Sequence, residues 1–225
     1  MTISEIIATR NIAEVLHFTT NRGLVGTLAS GSLKSRPLLK GDDYLKHILH
    51  LNSAIRPEES RYFDKSEDWI RFVNLSVSEI NSHFFRVSQR WHTSTDTWWA
   101  ILSFRSEIMT HSGVRFATTN NGYDGCVRSS GPEGLLSLFS DAILRKGYGA
   151  SGRPWSCVRG RREPHLPTCE QAEVLYPEQV ALSFLDRVYV AEDEHHDLTS
   201  GWLRDFGLDH VQVLVQPGKF FGRPN

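Results

Sequence analysis

The sequence predicts an α+β domain with a mostly antiparallel sheet and short flanking helices. Several short segments alternate or concentrate apolar side chains as half-buried strands do, most clearly Arg71–Ser78 and Thr97–Arg105. Others space apolar residues three or four positions apart as helices do, such as Leu24 and Leu28. The two kinds of segment do not alternate regularly, which argues against a parallel α/β fold. With 225 residues and no evident linker, the chain is predicted to form one domain over residues 1–225.

In the first half, Glu14–Thr19 is predicted as a strand, followed by a short helix that stops near Gly31. Leu33–Arg36 is predicted as a turn or a short extended piece, because the residue before a proline, here Pro37, avoids the helical region. The remaining predicted elements are a helix capped by Asp42 or Asp43 that ends before Pro57, the strands Arg71–Ser78 and Thr97–Arg105, and a helical turn over Ser106–His111.

In the second half, Pro132–Leu144 has helical apolar spacing, and Pro132 is suited to a first helical turn. Arg145–Thr168 is rich in glycine, proline and arginine and has no period, so a long loop is predicted. The remaining predicted elements are the strands Ala172–Tyr176, Arg187–Ala191 and Val211–Val215, and a helix over Leu198–Phe206 that Gly207 ends.

Composition is that of an ordinary globular protein. The chain is 40% hydrophobic and 23% charged with a formal net charge of −1, so any attraction to nucleic acid must come from a local patch. Cys126, Cys157 and Cys169 are odd in number and lack Cys-x-x-Cys spacing, which argues against a disulfide framework. The sequence shows neither a basic-then-apolar leader nor an apolar run of about 18 residues. A cytoplasmic protein without a membrane segment is therefore expected.

Glu173 is a candidate catalytic carboxylate. It precedes the apolar run Val174-Leu175-Tyr176, which would fix its backbone in a strand. Together with His17-Phe18-Thr19 far upstream, it resembles the two ends of an ADP-ribosyltransferase site. In such a site, nicotinamide leaves NAD, positive charge develops on the ribose, and a carboxylate near the 2-hydroxyl stabilises that charge. Judged alone, such a glutamate is more often a solvated residue at a strand edge.

His17 and Thr19 are candidate NAD contacts. They alternate with Phe18 on the predicted first strand, so both point to one face while Phe18 packs behind. A neutral imidazole and a hydroxyl suit ribose hydroxyls and a carboxamide. A histidine satisfied inside the core is the competing interpretation.

Two further polar groups could meet the substrates. Arg61 could clamp the pyrophosphate of NAD or orient and deprotonate an incoming base, or it could pair with Asp64 or Glu59 at the surface. Asn120 lies in the polar segment Phe116–Gly122 and could contact a base edge, although Asn-Asn-Gly is first a turn signal.

The segment Arg145–Thr168 also concentrates positive charge beside aromatic rings. Only Glu163 opposes the positive charge there. Cations for phosphates and rings for bases are what a single-stranded nucleic acid requires, and the segment directly precedes Gln171 and Glu173. A basic, partly disordered loop is the alternative. The residues concerned are Lys146, Tyr148, Arg153, Trp155, Arg159, Arg161 and Arg162.

No metal is expected. The spacing of the cysteines and histidines that could ligate zinc matches no structural zinc module, and their flanks are loop-like. They are Cys157, His165, Cys169, His195 and His196.

Several short motifs occur in a recognisable order. They are Leu16–Thr20 followed by Leu24, Leu28, Gly31, Leu33 and Ser35-Arg36, then Phe116–Asn121, Gln171–Pro177 and Asp186–Val190. Together they resemble the DarT family of DNA ADP-ribosyltransferase toxins. The resemblance implies a compact ADP-ribosyltransferase-like fold that transfers ADP-ribose from NAD to a base of single-stranded DNA. It also implies a macrodomain antitoxin that removes the mark and binds the toxin; a monomer is expected.

The resemblance also assigns roles by position. Glu173 is similar to the catalytic glutamate and Arg61 to the essential arginine, with Arg56 as a rival for that role. Asn120 falls where the family keeps a His or Asn near the target base. The segment His17-Phe18-Thr19 resembles the NAD-contacting motif of the family, and Gly26 lies nearby in the following helix.

The chain departs from the thymine-modifying members in two places. Glu59–Asp64 around Arg61 is less basic, and Val73–Val77 replaces a proline-rich strand. Gln171-x-Glu173 also resembles transferases that modify guanine or arginine, in which the glutamine addresses the acceptor, so guanine is favoured over thymine. Modification of RNA, protein or water by the same chemistry, and a non-catalytic nucleic-acid-binding module, are the alternatives.

Overall fold

A computed structural model describes residues 1–39, 69–123, 125–145 and 155–225 of the chain. The helices are α1 (Ile3–Arg10), α2 (Asn21–Ser30), α3 (Arg36–Leu39), α4 (Ser82–Trp91), α5 (Gly131–Ser137) and α6 (Asp193–Asp205). The strands are β1 (Glu14–Thr20), β2 (Ser32–Lys34), β3 (Phe72–Val77), β4 (Trp99–Arg105), β5 (Arg115–Ala117), β6 (Arg128–Ser130), β7 (Ala142–Arg145), β8 (Trp155–Val158), β9 (Glu173–Pro177), β10 (Gln179–Ala181), β11 (Leu185–Val190) and β12 (Gln212–Val215). Short 3₁₀ turns cover Trp69–Arg71, Ser106–Thr110, Leu182–Phe184 and Pro217–Phe220.

Eight strands form one sheet in the order β12-β11-β4-β1-β3-β9-β5-β6. Among these described strands, β11 and β12 pair in parallel and every other neighbouring pair is antiparallel. Two further antiparallel pairs, β2 with β10 and β7 with β8, lie outside this sheet. The predicted α+β class with a mostly antiparallel sheet is therefore confirmed.

The sheet buries both of its faces. Val15 belongs to the larger apolar cluster, which also takes side chains from α1, α2, α5 and α6. Its neighbour Leu16 belongs to a second cluster on the other face, together with Phe85 of α4. This alternation is what the two-residue period of a strand requires. It holds β1 rigidly between two packed layers, directly before His17.

The junction of β1 and α2 follows the prediction closely. Thr20 keeps an extended backbone and its hydroxyl accepts a hydrogen bond from the Gly23 N–H at 3.2 Å, so it caps the helix. Gly31 ends the helix with a φ of 70°, a conformation that costs glycine little. The predicted strand and helix are confirmed.

The helix predicted over Pro132–Leu144 is wrong beyond Ser137, where α5 ends. Ala142–Arg145 instead forms β7 and pairs with β8, so the long loop predicted over Arg145–Thr168 is also wrong at Trp155–Val158. Along β7 the residues alternate between exposed and buried, a strand period. The four-residue step from Phe139 to Ile143 fits a helix equally well, which is why spacing alone misled the prediction.

Among the described residues, the helices α1, α3 and α4 were not predicted, although α1 and α4 each carry a start signal. Thr2 and Glu5 form a capping box at the start of α1, and the Asn81 side chain accepts the Phe84 N–H at the start of α4. In the segment predicted as turn or extended, β2 occupies Ser32–Lys34 but α3 begins at Arg36. The helix predicted to start at Asp42 or Asp43 lies outside the described residues.

Candidate active site

The predicted glutamate and histidine lie on two strands, β9 and β1, that both pair with β3. Glu173 opens β9 opposite Ser76 of β3 and Ala117 of β5, and Ser76 lies opposite Leu16 of β1. Glu173 therefore shares a row of the sheet with the residue that precedes His17. Two segments far apart in the sequence converge here because β3 lies between their strands and pairs with both.

His17 lies where β1 and β3 part. The two strands are paired only at Val15 with Val77 and Leu16 with Ser76, and the next residue, His17, places Nδ1 3.0 Å from the backbone oxygen of Asn74. A carbonyl oxygen only accepts, so Nδ1 carries the hydrogen of this bond. Burial lowers the pKa of His17, although the bond to Asn74 opposes the shift. The neutral ring then leaves Nε2 as a hydrogen-bond acceptor.

The Glu173 carboxyl is buried, with 7% of the residue exposed. Its Oε2 accepts the side-chain amide of Asn74 at 3.0 Å and the backbone N–H of Asn121 at 2.8 Å. Burial raises the pKa of Glu173 to about 7 against the opposing effect of these two bonds. A buried carboxyl with a pKa near neutrality is typical of a reactive site.

Asn74 bridges the two predicted residues, and sequence reasoning missed this. Its carbonyl accepts from His17 and its side chain donates to Glu173. The available signal was a polar, exposed residue within the apolar strand Phe72–Val77. That signal did not name its partners, because they depend on which strands lie beside β3.

Asn121 contacts the carboxyl through its backbone N–H, while a contact of the neighbouring Asn120 with the target base stays a prediction. Arg128 holds Asn121 through two bonds, from Nε to Oδ1 at 2.6 Å and from Nη2 to the backbone oxygen at 2.5 Å. The Arg128 guanidinium also lies 4.7 Å from the centre of the Trp69 ring. The Asn120 side chain closes the turn by accepting the Gly122 N–H at 2.8 Å. The turn signal in Asn-Asn-Gly was thus correct.

Gln171 supports the same turn. It is 2% exposed, and its Oε1 accepts the Tyr123 hydroxyl at 2.9 Å. A contact between Gln171 and an acceptor base therefore stays a prediction.

The other predicted NAD contacts lie around the start of α2. Phe18 packs against Phe85 and Trp99, with ring centres 5.2 and 5.8 Å apart, as expected. Thr19 lies so close to Gly23 that a Cβ there would be 2.1 Å from its Oγ1. Gly26 is on the buried part of the helix. Contact of Phe18, Thr19 and Gly26 with NAD stays a prediction.

In the described part of the basic segment, residues 155–168, two arginines are bonded to other residues of the chain. Arg162 pairs with Glu79, and both side chains are only 6% exposed. Arg159 donates to the backbone oxygens of Leu166 at 3.1 Å and Glu163 at 3.0 Å. Loop disorder is therefore wrong for these two residues, whose guanidinium groups fasten the chain, whereas Arg161 is exposed. Arg56, Arg61, Lys146, Arg153 and the side chain of Trp155 lie outside the described residues.

Within the described ranges, no group of three or more His, Cys, Asp or Glu side chains is arranged to hold a metal ion. Cys126, Cys157 and Cys169 are buried and unbridged. None of the helices described combines the length and apolar character needed to cross a bilayer.

One known protein family matches most of this chain. A family model described as ssDNA thymidine ADP-ribosyltransferase, DarT, matches residues 16–221. The chain belongs to the DarT family. The expectation of an NAD-dependent DNA ADP-ribosyltransferase is thereby confirmed at the level of the family. Comparison with curated proteins gives no significant match.

Solved structures of DarT proteins share the fold. Thermus sp. 2.9 DarT in complex with ADP-ribosylated ssDNA has a TM-score of 0.60 and 11% identity over 92% of this chain and 96% of that chain. The same protein in complex with NAD+ gives a TM-score of 0.54 at 11% identity over 91% and 96%. Thermosipho africanus DarTG in complex with ADP-ribose gives 0.58 at 15% identity, covering 95% of this chain but only 52% of that chain. At these identities the likeness shows the fold alone.

Proposed function

We propose that this DarT-family chain transfers ADP-ribose from NAD to a base of single-stranded DNA. The observation that carries the proposal is that Asn74 accepts a hydrogen bond from His17 with its backbone oxygen and donates one to Glu173 with its side chain. It thereby links an imidazole whose pKa is lowered to a carboxyl whose pKa burial raises to about 7. Related structures in complex with NAD+ and with ADP-ribosylated ssDNA support both substrates.

In the proposed reaction, the bond between the ribose C1 and the nicotinamide nitrogen breaks, and its electron pair leaves with neutral nicotinamide. Ionised Glu173 accepts a hydrogen bond from the ribose 2-hydroxyl, which stabilises the developing cation. A nitrogen of the base then attacks C1 and releases its proton to solvent. His17 Nε2 accepts from a second ribose hydroxyl, since its Nδ1 is already engaged by Asn74.

The remaining roles follow the family by position. Phe18, Thr19 and Gly26 complete the NAD site, and Arg61 grips the pyrophosphate, because an arginine does not readily give up its proton. Asn120, Gln171 and the basic segment with Arg161 face the DNA. A macrodomain antitoxin is the expected partner, a monomer the expected state, and the cytoplasm the place where the DNA substrate is met.

The acceptor base has two candidates. Gln171-x-Glu173 favours guanine, provided that the Gln171 amide turns to the base, whereas the description of the matching family model names thymidine. The Gln171 oxygen already accepts from Tyr123, which directs the amide N–H groups elsewhere. Both guanine and thymine present oxygen acceptors to such a donor.

The test is incubation with labelled NAD and a mixed-sequence single-stranded oligonucleotide, followed by digestion to nucleosides and mass analysis. The wild type is expected to yield one ADP-ribosylated nucleoside, and Glu173→Gln about 10²–10³-fold less of it. The mass identifies the base. Label on RNA or protein but not on DNA would refute the proposed acceptor, and NAD-independent DNA binding without any label would favour the non-catalytic alternative.

A further inference from the structure

We infer that Asn74 is the positioning residue that holds the reactive carboxyl and the neighbouring imidazole in one arrangement. The inference rests on the proposed function of the same site. Asn74 is exposed on β3, yet its amide nitrogen is bonded to a carboxyl that is 7% exposed. Its side chain thus reaches from an exposed position on the strand to the buried carboxyl of Glu173.

The two donors to the carboxyl select one of its oxygens. Asn74 Nδ2 and the Asn121 N–H both point at Oε2, and among the described residues no donor is bonded to Oε1. Two donors from different elements, β3 and the turn after β5, fix the plane of the carboxyl. Oε1 is then the oxygen presented to the ribose.

Asn74 also connects this carboxyl to the imidazole. Its backbone oxygen accepts from His17 Nδ1 at 3.0 Å while its side chain donates to Glu173. A shift of β3 at this residue therefore displaces both groups together. The backbone half of the bridge survives any substitution at position 74, whereas the side-chain half does not, so variants separate the two contributions.

Removing the amide has a predictable chemical consequence. A donor to a carboxylate favours the ionised form, so its loss raises the pKa of Glu173 further. We expect Asn74→Ala to lower kcat by at least about tenfold at neutral pH, the usual effect of losing a hydrogen bond to a charged group, with little change in KM for NAD. Asn74→Asp keeps the shape but sets a second carboxyl against the first, so its effect should be larger.

The experiment measures the pH dependence of DNA labelling for the wild type, Asn74→Ala, Asn74→Asp and the control Ser76→Ala. Ser76 lies on the same strand as Asn74 and opposite Glu173 of the neighbouring strand, and among the described residues no hydrogen bond joins the side chains of Ser76 and Glu173. The acidic side of the pH–rate profile should move to higher pH from the wild type to Asn74→Ala and further to Asn74→Asp. It should stay in place for Ser76→Ala. An unchanged acidic side and kcat in Asn74→Ala, or an equal shift in the control, would overturn the inference.

A second readout needs no activity. The pH dependence of the free energy of unfolding should steepen between about pH 5 and 9 in Asn74→Ala, and this change should vanish in the Glu173→Gln background. If no variant labels DNA but this stability pattern appears, the proposed function fails and the hydrogen-bond bridge stands. If DNA is labelled and the pattern is absent, the bridge fails and the function stands.

Discussion

Glu14 and Glu173 occupy equivalent places in the sheet but differ in what surrounds them. Each opens a strand, β1 and β9 respectively, and they are 6% and 7% exposed. Glu14 forms an ion pair with Lys219 and accepts the hydroxyls of Ser103 at 2.5 Å and Tyr189 at 2.7 Å. Among the described residues, the donors bonded to Glu173 are two neutral amide groups.

The difference in partners produces opposite pKa shifts. Burial acts to raise the pKa of Glu14, but the bonds from Lys219 and the two hydroxyls outweigh it and hold the pKa below its ordinary value. At Glu173 burial outweighs the two neutral donors and the pKa rises to about 7. A buried carboxyl with a cation partner is fixed in its charge and serves the fold. One with neutral donors can still change protonation and accept a further partner, as a reactive group must.

The largest effect should come from removing the carboxyl proposed to be catalytic, that of Glu173. Glu173→Gln should lower DNA labelling by about 10²–10³-fold, the usual cost of losing one positioned electrostatic group, because glutamine cannot balance the charge on the ribose. Glu14→Gln should retain the wild-type rate per folded molecule, since Glu14 lies in the Lys219 cluster. Rates normalised to the folded fraction measure this, and equal losses in both variants would break the comparison.

For stability, Glu14→Gln should be the more harmful of the two substitutions. Glu14→Gln should lower the free energy of unfolding by about 3 kcal/mol, because it leaves Lys219 without its partner. The Glu14 contribution is present above the ordinary pKa of a glutamate and is lost as the pH falls through its lowered folded value. Urea unfolding at neutral and acidic pH measures both effects. A variant as stable as the wild type at neutral pH would show that the ion pair is not structural.

Glu173 should influence stability with the opposite sign. Its folded pKa is raised, so its contribution is complete below 4.5 and is lost as the pH rises through about 7. The difference between these two pKa values corresponds to a change in the free energy of unfolding of about 3 kcal/mol at most. Glu173→Gln should therefore match the wild type in acid and exceed it in stability above pH 7. Urea unfolding of both proteins across this pH range tests the sign, and a parallel pH dependence would contradict it.

The sequence could predict residues whose role depends on their own segment. The β1–α2 junction follows from a local pattern of polar and apolar residues and from a helix cap, and Glu173 and His17 were singled out by the short motifs that resemble the DarT family. Asn74 and Asn121 could not be found that way, because their importance depends on the order of strands in the sheet. The cation partners of Glu170 and Glu79, the buried Arg145 and Arg162, were missed for the same reason. From the sequence they were only part of a basic segment.

Arg161 and Arg162 test, with the smallest expected effect, whether an arginine in a buried ion pair stabilises the fold while an exposed one binds DNA. They are adjacent, but Arg161 is exposed whereas Arg162 forms the buried ion pair with Glu79. Arg161→Gln should leave the free energy of unfolding nearly unchanged and reduce the salt dependence of single-stranded DNA binding by about 0.7 in the log–log slope, the value for one lost phosphate contact. Fluorescence anisotropy of a labelled oligonucleotide over a salt series measures this slope.

Arg162→Gln is the matched control for that measurement. It should lower the free energy of unfolding by about 3 kcal/mol, because Glu79 would remain buried without its cation, while the slope per folded molecule stays at the wild-type value. If Arg162→Gln instead reduced the slope and left stability intact, its charge would be acting on DNA rather than on Glu79. In this segment, a charge that forms a buried ion pair would then not be confined to a structural role. The comparison between Glu14 and Glu173 would be unaffected.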